Sequence, residues 1–101
     1  MPHINLNHVA EKLPSFWQSK ILGQSGNCNI KILKMDAQQY PDETHDYNEA
    51  LIVISGKMFL IVEGQQIQVS EGEMYLAPAG VAHSVAQGSY GTLMIIDPIA
   101  S

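Results

Sequence analysis

The sequence predicts an all-β domain: a barrel or sandwich of two antiparallel sheets, preceded by a short helical turn. Short apolar runs of strand length recur along the chain, each bounded by Gly, Pro or Asn. Helical periodicity is confined to one brief stretch near the N-terminus. The chain has 101 residues and is 46% hydrophobic, enough for one domain with a modest core.

Residues 7–13 are read as one or two helical turns, with Asn7 as N-cap and Pro14 as terminator. Phe16 to Leu22 is an apolar segment closed by GQSGN, and Ile30 to Met35 alternates as a strand. Residues 37–49 are read as a polar loop. Ala50 to Ile54 is a continuous apolar run ended by Ser55-Gly56. Lys57 to Val62 follows, then Glu63-Gly64 as a hairpin turn into Gln66 to Val69. Met74 to Ala77, Ser84 to Ala86 and Thr92 to Ile96 complete the strands. A single domain over 1–101 is expected, with an N-terminal arm at 1–29 and a barrel core at 30–97.

Ten acidic residues against five basic give a net charge of -5, which argues against a nucleic-acid partner. Cys28 is the single cysteine, so no internal disulfide framework exists. The opening residues lack the pattern of a signal peptide, and no apolar run reaches the roughly 20 residues that span a bilayer. A cytoplasmic protein without membrane association is expected.

The chemistry concentrates in two places. Glu43, His45 and Glu49 stand at i, i+2 and i+6, so an extended chain would turn all three to one side. Leu51 and Val53 continue that side and would make an apolar floor. His83 follows Pro78-Ala79-Gly80, a turn in which Pro78 fixes φ and Gly80 permits positive φ. Two histidines and a carboxylate from separate strands form a facial set typical of non-haem iron.

These spacings resemble the two motifs of the cupin family. Its first motif runs Gly, five residues, His-x-His, three or four residues, Glu, six residues, Gly. His45, Glu49 and Gly56 match it. Its second runs Gly, five residues, Pro-x-Gly, two residues, His, three residues, Asn. Gly72, Pro78, Gly80 and His83 match. Three positions depart: Ala37 for the leading glycine, Glu43 for the first histidine and Gln87 for the closing asparagine. The resemblance covers about residues 30 to 97 and implies a jelly-roll-like β-barrel. It also implies a divalent metal held by Glu43, His45, Glu49 and His83. Glu43 makes that set two nitrogens and two oxygens, which favours Mn, Fe or Zn over Cu; Ni also falls within the range. The activity implied is that of a small metalloenzyme, dioxygenase-like or isomerase-like, acting on a small organic molecule. A non-catalytic ligand-binding module and a metal-free structural cupin are the alternatives.

The remaining candidates have plainer expectations. His3 and His8 are read as exposed, and Asp42 and Asp46 as surface charges. Met35, Met58, Met74 and Met94 are read as core, with one or two lining a cavity. Tyr47 and Tyr75 are expected near its mouth. Trp17 is expected to pack an N-terminal strand onto the barrel or a neighbour. A homodimer is expected, with Phe16 to Leu22 adding a strand to cover an exposed edge.

Overall fold

The computed structural model describes residues 3–99. One helix, α1 (Leu6–Glu11), precedes eight strands. These are β1 (Lys20–Ser25), β2 (Cys28–Asp36), β3 (Tyr40–Glu43), β4 (Glu49–Val62), β5 (Gln65–Ser70), β6 (Met74–Ala77), β7 (His83–Val85) and β8 (Tyr90–Pro98). No helix among the described residues is long and apolar enough to cross a membrane.

The N-cap is Asn5 rather than Asn7: its side chain accepts a hydrogen bond from the His8 amide at 3.1 Å. Asn7 lies inside the helix and instead accepts from the Ser55 hydroxyl at 3.0 Å. A helix of six residues gains little from its own hydrogen bonds. It is held by packing, with Ala10 and Leu13 buried against Ile32.

All strand pairs are antiparallel, and the sheet path runs β1-β2-β8-β4-β7-β3, with β5 and β6 also paired to β4. β4 makes this possible by its length. Its first half pairs β8 and β6, and its second half pairs β5 and β7. The two expected strands at 50–54 and 57–62 are therefore one strand that carries the sheet round a bend.

The bend has a local cause. Gly56 has φ +85° and Gly91, its partner on β8, has φ +103°. A Cβ on Gly56 would lie 2.0 Å from the Tyr90 carbonyl oxygen, and one on Gly91 would lie 2.1 Å from that of Ser55. The register slips between Val53 and Ser55. That slip flips the inward parity of β4, from Leu51 and Val53 before it to Met58, Leu60 and Val62 after it. Both halves thus turn apolar residues inward, joined by Leu33, Met35, Val69, Ala77 and Leu93.

Two further differences bear on the site. The expected polar loop at 37–49 contains β3, a short edge strand whose one neighbour is β7. The expected Phe16–Leu22 strand starts only at Lys20. Trp17 lies in the preceding turn at φ +63°, a backbone region unfavourable for a bulky residue. Its amide donates to Lys34 O at 2.9 Å and its indole to Asp36 Oδ1 at 2.6 Å. Its ring stacks on Tyr40 at 5.4 Å. These contacts tie the C-terminal end of β2 to Tyr40 of β3.

Candidate metal centre

Glu43, His45, Glu49 and His83 converge, with one candidate ligand atom from each lying within 4.8 Å of all the others. The convergence does not come from strand parity along one extended segment. Glu43 ends β3, His45 lies in the 44–48 loop, Glu49 opens β4 and His83 opens β7. His83 faces Glu43 across one ladder and Val62 across the other. The Pro78-Ala79-Gly80 turn does more than aim His83. Gly80 N donates to His45 O at 2.8 Å, and Ala79 N donates to Asn48 Oδ1 at 2.9 Å. One turn therefore positions both histidines.

Within the cluster, His45 Nε2 lies 3.4 Å from Glu43 Oε2 and 3.9 Å from Glu49 Oε2. His83 Nε2 lies 3.3 Å from Glu49 Oε1. Bonds of about 2.0–2.2 Å to one ion separate ligand atoms by at most about 4.4 Å. A contraction of a few tenths of an ångström would bring all four onto a single cation. His45 Nε2 and His83 Nδ1 are buried with no hydrogen-bond partner. A buried polar atom left unpaired costs about 1–3 kcal/mol, and a bound cation would use the lone pair of His45 Nε2. The donor set, with Nε2 of His45 and Nε2 of His83 turned to the carboxylates, fits a divalent ion.

The electrostatics point the same way. The Glu49 carboxyl is held above the usual carboxylate range, first by burial and further by Glu43 and Asp97, against the opposing pull of His45 and His83. A divalent ion would relieve that strain by favouring the ionised form. The Tyr47 phenol is also pushed up, by burial and then by Asp97, Glu49, Glu43 and Asp46. Its ring stacks on His45 at 4.8 Å.

The cluster lies in a cavity of about 190 Å³. Leu51, Met58, Leu93 and Ile95 give it an apolar floor, and Trp17, Tyr40 and Tyr47 line it with aromatic rings. Lys31 and Asp97 also line it, paired at 2.7 Å, with Asp97 almost fully buried. Sequence reasoning missed this pair. Lys31 alternates with Ile30 and Ile32, and the usual reading sends the lysine to solvent. Here the direction is reversed: Lys31 faces the cavity and the two isoleucines face outward. An acidic residue in β8 at the level of Glu49 was the available signal, since Ala50 pairs Ile96 and places Asp97 beside Glu49.

Other expectations divide. His3, His8, Asp42 and Asp46 are exposed. Met58 lines the cavity and Met35 is core, whereas Met74 is 58% exposed and Met94 half-buried on the outer face. Tyr47 lines the cavity, but Tyr75 packs against the core instead.

The structure is similar to that of a cupin-2 domain containing protein from Shewanella frigidimarina, with a TM-score of 0.89 and 26% identity over 97% of this chain and 96% of that one. A protein from Neisseria meningitidis gives 0.82 and 24% over 96% and 99%. A cupin superfamily protein from Desulfitobacterium hafniense gives 0.74 and 18% over 94% and 90%. No curated protein matches the chain. The cupin domain family's profile matches residues 32–97, a span that holds the bend at Gly56 and all four members of the cluster. With two-thirds of its length matched and the fold shared throughout, the chain belongs to the cupin domain family.

Proposed function

We propose that the chain binds one divalent metal ion through Glu43, His45, Glu49 and His83 and acts with it on a small organic molecule held in the cavity. The observation that carries this reading is the convergence of four ligand atoms within 4.8 Å, with His45 Nε2 buried and unpartnered between the two carboxylates. Two imidazoles and two carboxylates suit Mn, Fe or Zn better than Cu. A bound ion of this kind supplies Lewis acidity or oxygen activation, in isomerase-like or dioxygenase-like chemistry.

The other residues bind and orient. The cavity is below the roughly 300–1,000 Å³ of pockets that enclose drug-sized ligands, so the ligand is small. Leu51, Met58, Leu93 and Ile95 exclude water from its apolar part. Tyr47 keeps its proton and offers a hydrogen bond beside His45. Lys31 and Asp97 supply a charged pair on the same wall.

His83→Ala tests the assignment. It removes a ligand from the edge of the cavity and leaves Leu60, Val62 and the rest of the core in place. Metal content should fall to a small fraction of the parent's, with unchanged circular dichroism. A folded variant that retains full metal occupancy would refute the ligand set.

A further inference from the structure

The inward residues of β2 and β8 change character toward the level of Glu49. Leu33 faces Leu93, then Lys31 faces Ile95, then Asn29 faces Asp97. Lys31 thus stands one pair deeper than Asp97, among the apolar residues, and its side chain reaches past Ile95 to donate to Asp97 Oδ2 at 2.7 Å. Asp97 is the only hydrogen-bond partner of Lys31 Nζ among the described residues. An ammonium carries three donors, so two remain for the cavity. Asp97 has nothing left to offer: it is 4% exposed, with Lys31 on one oxygen and Asn29 at 3.5 Å from the other. A buried ion pair is a poor source of stability, because apolar side chains of like volume often serve as well. Its place in a cavity wall that is otherwise apolar at this depth points to a ligand.

Charge decides what kind of ligand. The cavity is lined by one ammonium and by the three carboxylates of Glu43, Glu49 and Asp97, a net −2 when all are ionised. One divalent ion cancels this, and Asp97 already answers the charge of Lys31. An anion therefore meets no net positive charge in the cavity. An uncharged oxygen acceptor still gains a hydrogen bond from an ammonium, the stronger kind at about 1.5–3 kcal/mol. We infer that Lys31 anchors the cavity's ligand, and that this ligand is an uncharged small molecule with an apolar body and a carbonyl or hydroxyl oxygen. That oxygen accepts from Lys31 Nζ, and the body lies against Leu93 and Ile95. Asp97 sets the selectivity through Lys31: by neutralising the ammonium it turns the site away from carboxylates. The inference rests on the proposed small-molecule function for the presence of a ligand in this cavity, and names its chemical class.

Isobutyramide and isobutyrate test this, since they share a shape and differ in charge. Probes this small reach about millimolar Kd at best. Trp17, the chain's single tryptophan, lines the same cavity and reports occupancy by its fluorescence. Zinc-loaded and metal-free protein are both titrated, with zinc content measured on each sample. The parent should bind isobutyramide about tenfold more tightly than isobutyrate. Lys31→Met combined with Asp97→Asn removes both charges together and leaves no buried charge unpaired. It should keep the parent's circular dichroism and lose isobutyramide affinity by about tenfold. Asp97→Asn alone frees the ammonium and should bring isobutyrate level with isobutyramide or ahead of it, a change that a purely structural pair would not produce. If the double variant fails to fold, this change of preference decides. A parent that favours isobutyrate overturns the ligand class, and an unchanged preference in Asp97→Asn overturns the selectivity role. A parent that binds neither probe, or a folded double variant that binds isobutyramide as the parent does, overturns the anchor. A parent that takes up no zinc defeats the metal reading alone, and the Lys31 comparison is then read in the metal-free protein, where the same order is expected.

Discussion

At the crossing of β4 and β8, a Cβ on Gly56 would lie 2.0 Å from a carbonyl oxygen. At the mouth of the barrel, two imidazole nitrogens lie buried without a hydrogen-bond partner. The first region is closed in every direction: backbone touches backbone, and the bulge beside it sets the inward parity of the whole of β4. The second is held open by a turn and a loop, with charges packed closer than folding alone would favour. Stability is concentrated where space has run out, and chemistry where polar groups are left unsatisfied. Substitutions at the two places should therefore fail in different ways.

The largest effect is expected at the crossing. Gly56→Ala sets a methyl against the Tyr90 backbone at positive φ, with no flexible side chain to give way. It should cost more than about 4 kcal/mol, the scale of exceptional single substitutions, and leave little folded protein. Thermal melting followed by circular dichroism checks this; a variant melting within a few degrees of the parent would show the strands able to part.

Glu49→Gln should act oppositely on stability and on binding. A group whose folded pKa is raised withdraws stability as pH rises through that pKa, so ionised Glu49 weakens the metal-free protein at neutral pH. The neutral amide keeps the shape and removes the buried charge. Metal-free Glu49→Gln should therefore melt above the metal-free parent at pH 7, and the gap should narrow as pH falls from the raised pKa toward the ordinary carboxylate value. Metal affinity should drop sharply. A variant less stable than the parent at pH 7 would contradict the electrostatic reading.

Glu43 is more exposed than Glu49, and its contribution should be smaller. Glu43→Gln should weaken Mn binding about tenfold, near 1.4 kcal/mol. Glu43→His should keep a metal while shifting preference toward Ni, Cu or Zn. Titration of parent and both variants with Mn and Ni separates this from a three-residue site, for which all three would bind alike.

How much of this was legible in the sequence differs between the two regions. The residues that converge were singled out by spacing: Glu49 with Gly56, and Gly72, Pro78, Gly80 with His83. The geometry behind them was not, because Glu43, His45 and Glu49 are joined by a loop between strands rather than by one strand's parity. At the crossing, Gly56 and Gly91 looked like ordinary breaks. Their mutual contact spans 35 positions, and one-dimensional pattern cannot register it. Lys31 went unassigned for a related reason: alternation reveals two faces without saying which is inside. Ala37 joins the two scales. It stands where the family pattern has glycine, and it adopts φ +73° with its amide bonded to Ser89 O and its carbonyl accepting from Gly88 N. Left-handed backbone costs a non-glycine residue about 1–2 kcal/mol, partly offset by glycine's larger loss of chain entropy. Ala37→Gly should thus stabilise by about 0.5–1 kcal/mol, the smallest effect in the series, raising the melting temperature by about 4 °C.

The central claim is that the four converging side chains form one metal centre, and metal stoichiometry tests it most directly. Protein purified without added metal, and again after reconstitution with Mn, Fe, Ni and Zn followed by desalting, is assayed by elemental analysis. One divalent ion per folded chain is the expected result. A folded protein that retains no metal under any of these conditions would contradict the account.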